Sequence, residues 1–322
     1  MKLKKIVLYV GRPRGCNMSI RNELIRLISK NDNLYIVTKQ VRLKTLMLLG
    51  KLIPDKTYIK IQYRLRLGKK LNLNNPTLFN EKIQYAKLYY RNPKLKLLVD
   101  KYEVRKYVAD KIGEKYLTKL YGVYDNVGEI PFEELPDRFV MKLTNGSSYN
   151  YICPLKTEKT KREIEYRFKK WLTVDFYMLG REWAYKDVPN RIICEELLET
   201  KDKQGLNDYK IFCFDGIPKI IQVDFSRFVN HKRNFYTPEW KFINEAVEYD
   251  NDPSANISKP HNFEEMLECA KVLSEGFPQV RVDFYDVDGR IVFGEMTFYH
   301  GAGYLHFRNP EFELEMGEYW NV

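Results

Sequence analysis

The amino-acid sequence predicts an α+β fold with antiparallel sheets, preceded by a basic and mainly helical N-terminal region. After Gly122, short β-rich runs follow one another, and hairpin turns such as Asp215–Gly216 and Asp286–Gly289 join them. Only a few helical segments intervene between these runs. Strands joined by hairpins pair in antiparallel fashion, which places the chain in the α+β class.

The N-terminal region differs from the remainder of the chain in its charge. Residues Met1–Leu120 carry 29 Lys and Arg against 8 Asp and Glu, whereas the remainder carries 25 against 35. Such a cationic surface attracts anionic lipid, acidic glycans or nucleic acid. Charge alone does not choose among these partners, and a solvated basic face without a partner is equally compatible with it.

The predicted elements of this region are a strand at Lys4–Val10, an amphipathic helix at Ser19–Ser29 and a basic, leucine-rich stretch at Val41–Leu73. Pro54 divides that stretch into a helix ending at Lys51 and another starting near Lys56. Apolar and basic residues alternate there at helical spacing. That pattern suits a helix on a membrane surface, or one packed on the protein with its lysines in water.

Further helices are predicted at Asn80–Tyr90 and Asp100–Ile112, the latter with Asp100 as N-cap and Gly113 as stop signal. The β-rich part has two more, at Lys159–Trp171 and Asn262–Gly276. The predicted strands are Arg138–Leu143, Tyr151–Leu155, Arg191–Leu198, Tyr209–Phe214, Pro218–Phe225, Val280–Tyr285 and Arg290–Phe298. A long polar loop is predicted at Tyr236–His261.

The last predicted hairpin carries acids inside apolar strands. Alternate residues of a strand share a face, so Arg281, Asp283 and Tyr285 form one set, and Phe293, Glu295, Thr297 and Tyr299 another. Buried carboxylates are costly unless they are paired. Asp283 and Glu295 therefore indicate either a magnesium–nucleotide site or plain ion pairs with neighbouring cations such as Arg281. Spacing alone favours neither.

Three more segments suggest ligand-binding groups. Lys142 ends an apolar strand just before a loop containing Gly146, Ser147 and Ser148, which suits phosphate, although a plain flexible hairpin is the simpler reading. Glu195 and Glu196, followed by Leu197 and Leu198, end a strand whose backbone groups can pair with an adenine edge. Asp208 and Lys210 share one face of the next strand, where they can meet a ribose hydroxyl and a phosphate.

Several functional classes have little support. The cysteines (Cys16, Cys153, Cys194, Cys213 and Cys269) are scattered without a CxxC pair, which argues against zinc and disulfide sites and favours a reducing cytoplasm. No apolar run approaches the ~20 residues of a membrane-spanning helix. The sequence has no GxSxG motif for a serine hydrolase. A nucleic-acid-binding role would leave Lys142, Asp283 and Glu295 unexplained, so no nucleic-acid partner is expected.

In their order along the chain, these segments resemble the ATP-grasp superfamily, with a strand lysine, a Gly/Ser loop, Glu-Glu-Leu-Leu, Asp-x-Lys, Val-Asp and Glu-x-Thr. Longer stretches are similar to the TupA-like ATP-grasp family of bacterial surface-polysaccharide biosynthesis. They are NPTLFNEKIQYAKLY, LVDKYEVRKYV, GREWAYK, DYKIFCFDG, GFPQVRVDFY and GEMTFYHGAG, and the resemblance covers roughly residues 51–317. It implies two α+β subdomains that clasp ATP, at residues 99–194 and 195–322, behind a basic region at residues 1–98.

The resemblance also implies roles for individual residues. ATP would be bound by Lys142, Gly146, Ser147, Ser148, Glu195, Glu196, Leu198, Asp208 and Lys210. Magnesium would be held by Asp283, Glu295 and Thr297, with Thr297 standing where the superfamily usually has Asn. Lys210, Arg281 and His300 are the candidate catalytic residues, and the loop containing His300 would border the acceptor.

The implied reaction is ATP-dependent ligation of a carboxylate to an amine through an acyl phosphate, with release of ADP and phosphate. The expected substrates are a uronic acid of an anionic surface polysaccharide and an amino acid or other amine. The expected location is the cytoplasm, with contact at the inner face of the membrane through the basic region. The alternative is a glycosyltransferase or another sugar-modifying transferase, since paired acids also serve the metal of a sugar nucleotide.

Overall fold

The computed structural model describes residues 50, 52–201, 205–226, 231–255 and 257–322. The predicted strand Lys4–Val10, the predicted helix Ser19–Ser29 and nearly all of the first basic helix lie outside the described residues. The second basic helix is present as α1, Asp55–Leu67, and Gly68 ends it in a left-handed conformation. No helix among the described residues is long and apolar enough to cross a membrane.

Three further helices precede the β-rich part: α2 (Phe79–Tyr89), α3 (Lys94–Leu98) and α4 (Glu103–Lys111). The predicted N-cap Asp100 accepts hydrogen bonds from the backbone N–H groups of Tyr102 and Glu103, but the helix itself begins only at Glu103. Asp100 also pairs with Arg191, at 3.1 Å. This ion pair ties the start of α4 to the strand that follows Arg191.

Within the described residues, one sheet has four strands in the order β1-β4-β2-β3. They are β1 (Leu120–Tyr124), β2 (Phe139–Leu143), β3 (Asn150–Cys153) and β4 (Ile192–Glu195). Two helices separate β3 from β4: α5 (Glu158–Trp171) and the one-turn α6 (Tyr177–Gly180). Ile164 and Phe168 of α5 are buried in the apolar cluster that covers this sheet, whereas most other residues of α5 are charged.

The other sheet described has six strands in the order β10-β9-β5-β6-β7-β8. They are β5 (Asp208–Phe214), β6 (Ile217–Phe225), β7 (Lys232–Tyr236), β8 (Phe242–Ile243), β9 (Gln279–Val287) and β10 (Arg290–Thr297). Every pairing in both sheets is antiparallel, so the predicted fold class is confirmed. Helix α7 (Phe263–Ser274) packs on this sheet.

The largest apolar core includes residues of the six-stranded sheet together with α2, α3, α4, α7 and the C-terminal helix α8 (Pro310–Glu318). The four-stranded sheet has an apolar core of its own. The helices between Phe79 and Lys111 thus bury their apolar faces in the core of the six-stranded sheet.

Six of the labelled elements were missed by the sequence interpretation: α3, α6, β1, β7, β8 and α8. Strand β7 reads as polar, since Lys232, Arg233 and Asn234 occupy it, but Arg233 is buried against Asp224 of the neighbouring strand. Strand β8, only two residues long, lies inside the predicted loop Tyr236–His261. Their polar or short sequences give little periodic signal, and tertiary pairing decides them.

Candidate functional site

The paired strands β9 and β10 bring the two predicted metal-binding acids together. Glu295 lies directly opposite Asp283, and Thr297 lies opposite Arg281. The register shifts between Phe293 and Glu295, so Phe293 lies opposite Phe284 and shares its apolar face. The predicted common face of Phe293 and Glu295 is therefore wrong, because the extra residue of a β-bulge reverses the alternation.

Arg281 contacts four other polar side chains in and next to this hairpin. Its Nε and Nη2 atoms donate to the two carboxylate oxygens of Asp283, each at 2.6 Å. Nη2 also donates to Glu295 Oε1 at 2.8 Å and to Thr297 Oγ1 at 3.0 Å, and Nη1 contacts His300 Nδ1. The ion pair between Asp283 and Arg281 that the sequence left open is thus present, and all five side chains converge.

Strand β5 adds a cation and an acid to the same face. Lys210 lies opposite Asp283 and contacts it at 2.6 Å, and its Nζ also contacts Asp208 at 2.5 Å. Burial disfavours the ammonium form, but Asp208 and Asp283 raise the pKa of Lys210 above its ordinary value. Lys210 therefore stays charged between two acids.

The electrostatics of the hairpin fix the protonation of Glu295 and His300. Partial burial opposes ionisation of Glu295, but Arg281, Lys101 and Lys210 hold its pKa at about 2. Burial, with Arg281 nearby, holds the pKa of the His300 imidazole well below its usual range. A neutral ring can accept the Arg281 N–H through Nδ1. At neutral pH, the site thus combines the ionised Glu295 carboxylate with a neutral His300 imidazole.

The four-stranded sheet supplies a second polar cluster around Glu195. Lys142 donates to Glu195 Oε2 at 2.9 Å, while Arg105 donates to Oε1 at 2.9 Å. Thr118 donates to the same oxygen Oε1. Burial would raise the pKa of Glu195, but Lys142, Thr118 and Arg105 bring it below its ordinary value. The predicted phosphate lysine and the predicted adenine-side acid are thus direct partners.

The predicted phosphate loop follows Lys142 and has two residues in the left-handed region, Gly146 at φ 76° and Ser148 at φ 68°. Ser147 and Ser148 are exposed, whereas Gly146 lies under the ring of Phe176, which a Cβ at this position would approach to 2.6 Å. A side chain at Gly146 would require that ring to move. The loop therefore holds a close-packed turn with exposed hydroxyls at its tip.

Lys101 is a site residue that the sequence interpretation missed. Its Nζ donates to the carbonyl of Gly146 at 2.7 Å. Burial lowers its pKa, as does Lys142, whereas Glu295 and Glu195 oppose that shift. Lys101 therefore interacts electrostatically with acids of both sheets. The signal in the sequence is Lys101 within LVDKYEVRKYV, a stretch that predicts a helix start and carries the family resemblance but indicates no ligand role by itself.

Glu196 and Leu198 lie at the margin of these clusters. The Glu196 carboxylate accepts from Arg290 at 2.9 Å and from the backbone N–H of Lys119 at 3.0 Å. Leu198 is half-buried in the segment that follows β4. Glu196 thus contacts the β9–β10 hairpin at Arg290, near its turn and away from Asp283 and Glu295. The structure thus brings together two groups, Lys142 with Glu195 and Asp208–Lys210 with the hairpin, while Lys101 lies within electrostatic reach of both.

The donor set at the hairpin is suited to magnesium only in company with a ligand. No three Asp, Glu, His or Cys side chains in the described ranges form a cage that could hold a metal ion. Asp283 and Glu295 offer two facing carboxylates, and magnesium is commonly held by one or two carboxylates together with phosphate oxygens and water. The residues therefore fit a metal that arrives with a nucleotide, and they do not form a closed protein cage.

Comparison with solved structures gives distant matches. The chain is similar to a D-alanine–D-alanine ligase from Bacillus anthracis (16% identity, 63% of this chain, 57% of that chain, TM-score 0.39). It is similar to the D-alanine–D-alanine ligase from Helicobacter pylori (17% identity, 76% of this chain, 69% of that chain, TM-score 0.39). A third match is N5-carboxyaminoimidazole synthetase from Staphylococcus aureus complexed with ADP (14% identity, 67% of this chain, 50% of that chain, TM-score 0.41). The chain thus spans only 57% of the first of these proteins.

Comparison with curated proteins gives no match. A family model described as TupA-like ATP-grasp matches residues 81–321, about three quarters of the chain. The matched range includes every predicted site residue, from Lys142 to His300, and also Lys101. On this match, the chain belongs to the TupA-like ATP-grasp family.

Proposed function

We propose that this protein is an ATP-dependent carboxylate–amine ligase that acts through an acyl phosphate. The observation that carries the proposal is the position of Lys101. It contacts the phosphate-loop carbonyl of Gly146 and interacts electrostatically with Lys142 on one sheet and Glu295 on the other. A polyphosphate between the two sheets would meet cations from both sides, which is the arrangement that phosphoryl transfer requires.

Each group has a role in this proposal. Lys142 and Lys101 bind phosphates of ATP beside the loop Gly146–Ser148. The segment Glu195–Leu198 borders the adenine, and Asp208 contacts the ribose. In the structure described here, Lys142 is paired with Glu195, so the nucleotide would compete for that ammonium group or share it.

Asp283 and Glu295 would hold magnesium, with the Thr297 hydroxyl beside them. When bound, the metal neutralises charge on the phosphates. In this structure, Arg281 and Lys210 donate hydrogen bonds to these acids. With nucleotide bound, they would donate some of these hydrogen bonds to phosphate oxygens instead. The shared hydrogen bonds of Arg281 hold both acids in position before the nucleotide arrives.

The chemistry begins with attack by a substrate carboxylate oxygen on the γ-phosphorus of ATP, and the bond to the β-phosphate oxygen breaks. ADP leaves, and an acyl phosphate remains. An amine nitrogen then attacks the acyl carbon, phosphate leaves with the C–O bonding pair, and the nitrogen loses a proton. Lys210 and Arg281 stabilise the transferred charge, and the Gly146–Ser148 loop limits access of water.

The proposed carboxylate is a uronic acid of a cell-surface polysaccharide, and the proposed amine is an amino acid or a related compound. The family match supports this choice, and so does the basic N-terminal region, which suits an anionic acceptor. A glycosyltransferase is the alternative, and it would bind a nucleotide sugar in preference to ATP.

The test measures ATP binding and ADP release with glucuronate-containing acceptors and a panel of amines. We expect ADP release that needs both substrates. We also expect at least about tenfold weaker ATP binding for Lys142→Ala and Lys101→Ala, because each loses a charge-assisted contact with phosphate. Lys106→Ala is the matched control, because Lys106 is exposed on α4 and pairs only with Asp110.

Two results would reject the proposal. One is the absence of ATP binding, or ATP binding that neither lysine substitution weakens. The other is tighter binding of UDP-sugars than of ATP, which would support the transferase alternative. ATP binding without turnover on the acceptor panel would reject the uronic-acid acceptor and leave the nucleotide site in place.

A further inference from the structure

Helix α1 (Asp55–Leu67) presents an unusual outer face. Its inner face is buried through Tyr58, Ile59 and Tyr63. Towards the outside, Ile61 is 45% exposed and Leu65 is 63% exposed, and Leu52, which precedes the helix, is 83% exposed. Three large aliphatic side chains in and just before this helix are thus open to solvent.

The basic residues of α1 form a row beside these aliphatic side chains. Lys56, Lys60 and Arg64 are exposed and follow one another at intervals of four, so they line one edge of the helix over about 12 Å. Ile61 and Leu65 follow Lys60 and Arg64 by one residue each, which turns them about 100° around the axis. The outer face therefore has a basic edge alongside an apolar edge.

Acidic side chains are scarce in this part of the chain. From Lys56 to Asn80 the sequence has six Lys or Arg and no Asp or Glu. The acid before this stretch, Asp55, already contacts Tyr177 and Arg181. Arg66 is partly engaged too, lying over the ring of Tyr304. The positive charge of the outer face is thus uncompensated along this stretch of the sequence.

We propose that the outer face of α1 docks the protein on an anionic lipid surface. Lys56, Lys60 and Arg64 would lie among the headgroups, and Ile61, Leu65 and Leu52 would enter the boundary with the acyl chains. A second copy of the same face would meet like charge. A nucleic acid or an acidic glycan would use the basic edge and leave the apolar edge exposed to water.

Vesicle co-sedimentation of the full chain tests this proposal and does not depend on the ligase activity. Vesicles of phosphatidylcholine alone are compared with vesicles containing about one third phosphatidylglycerol. We expect binding to the anionic vesicles that weakens with salt. Lys60→Glu with Arg64→Glu should lower the partition coefficient at least about tenfold, as should Ile61→Ser with Leu65→Ser.

Matched control variants change exposed residues of the same types elsewhere. Lys159→Glu with Lys169→Glu alters two exposed cations of α5, and Ile152→Ser with Leu155→Ser alters two exposed aliphatic residues near β3. Both controls should bind vesicles much as the unaltered protein does. Far-UV circular dichroism and melting temperature check that all variants are folded, and retained ATP binding separates this surface from the nucleotide site.

Heparin serves as an anionic polymer without an apolar phase. Loss of vesicle binding in the Ile61/Leu65 variant, with heparin binding retained, supports a lipid surface. No binding of the full chain to anionic vesicles would overturn the proposal. Vesicle binding that is equal in the Ile61/Leu65 variant and in the unaltered protein would overturn it too, and would indicate a purely electrostatic partner.

Discussion

Glu195 illustrates how the described structure stabilises a buried acid in this protein. Its carboxylate contacts Lys142, Arg105 and Thr118, and the side chain is almost fully removed from water. Removing one partner of a buried ion pair strongly destabilises the protein, because the other charge stays buried without a counter-charge. The folded state therefore depends on the ionised form of Glu195.

The sign of the pH dependence follows from the lowered pKa of Glu195. Its pKa is below the ordinary 4.5 in the folded state, so its contribution to stability is complete above that value. The contribution is lost as the pH falls through the folded-state pKa. We expect Glu195→Gln to reduce the free energy of unfolding by about 2 kcal/mol at pH 7, with the difference shrinking below about pH 4.5.

Urea unfolding of both proteins between pH 7 and the most acidic pH at which they fold measures this difference. Glu268→Gln is the control, because Glu268 is exposed and only loosely paired with Lys271. A gap between Glu195→Gln and the unaltered protein that stays constant with pH would contradict the linkage.

At the scale of single residues, the sequence identified unusual groups better than their partners. Lys142, Asp283 and Glu295 stand out because ionised residues in apolar strands need a counter-charge. The partner of Lys142 is Glu195, which lies diagonally across β2 and β4. Strand order decides that contact, and spacing along the chain does not encode strand order.

At the scale of elements, helix α2 fixes the loop that follows β10. Lys87 donates to the carbonyl of Ala302 at 2.5 Å, and Gln84 donates to the carbonyls of Ala302 and Gly303. Residues 301–303 all have positive φ, including the non-glycine Ala302. Buried donors on α2 therefore hold a backbone conformation that costs free energy in isolation.

Replacing Lys87 by Met retains much of the apolar stem and removes the ammonium group. We expect a loss of about 1 kcal/mol in the free energy of unfolding near pH 10, since the Ala302 carbonyl loses one of its two donors. Burial lowers the pKa of Lys87 to about 7, so the unaltered protein loses stability relative to Lys87→Met as the pH falls from about 10 towards 7.

Lys94→Met is the matched control, because Lys94 is exposed at the start of α3. Unfolding of Lys87→Met at the same urea concentration as the control would show that the loop needs no support from α2.

The elements were largely predictable where their periodicity is strong. Strands β2, β5, β6, β9 and β10 lie within a few residues of their predicted ranges, as do α2, α5 and α7. The bulge before Glu295 was not predictable, because one extra residue in a strand changes no composition and no turn signal. It nevertheless decides that Phe293 faces the core while Glu295 faces the site.

At the scale of the whole molecule, the candidate site draws on both sheets. A ligand that contacts both should stabilise the folded protein as a whole. At about 100 times its dissociation constant, ATP with magnesium would add ~2.7 kcal/mol, which corresponds to a rise of several degrees in melting temperature. Differential scanning fluorimetry with ATP, with and without excess magnesium, measures the effect.

Removal of the metal by EDTA should abolish most of that rise, because Asp283 and Glu295 would then face the phosphates without a bridging cation. AMP, which lacks the β- and γ-phosphates, is the control ligand and should give little shift. An equal rise with ATP in EDTA would show that the two acids do not bind a metal with the nucleotide.

The sequence by itself determined the α+β class, the antiparallel hairpins, the excess of positive charge before residue 120 and the ionised residues that need partners. These features can be predicted from local sequence, because they depend on periodicity, turn residues and the cost of burying charge. Tertiary structure decided that Arg281 joins Asp283, Glu295 and His300, and that Lys101 contacts the Gly146 carbonyl and interacts electrostatically with acids of both sheets. Most of those contacts join residues of different strands or loops, which strand pairing, register and the bulge at Gly294 bring within hydrogen-bonding distance.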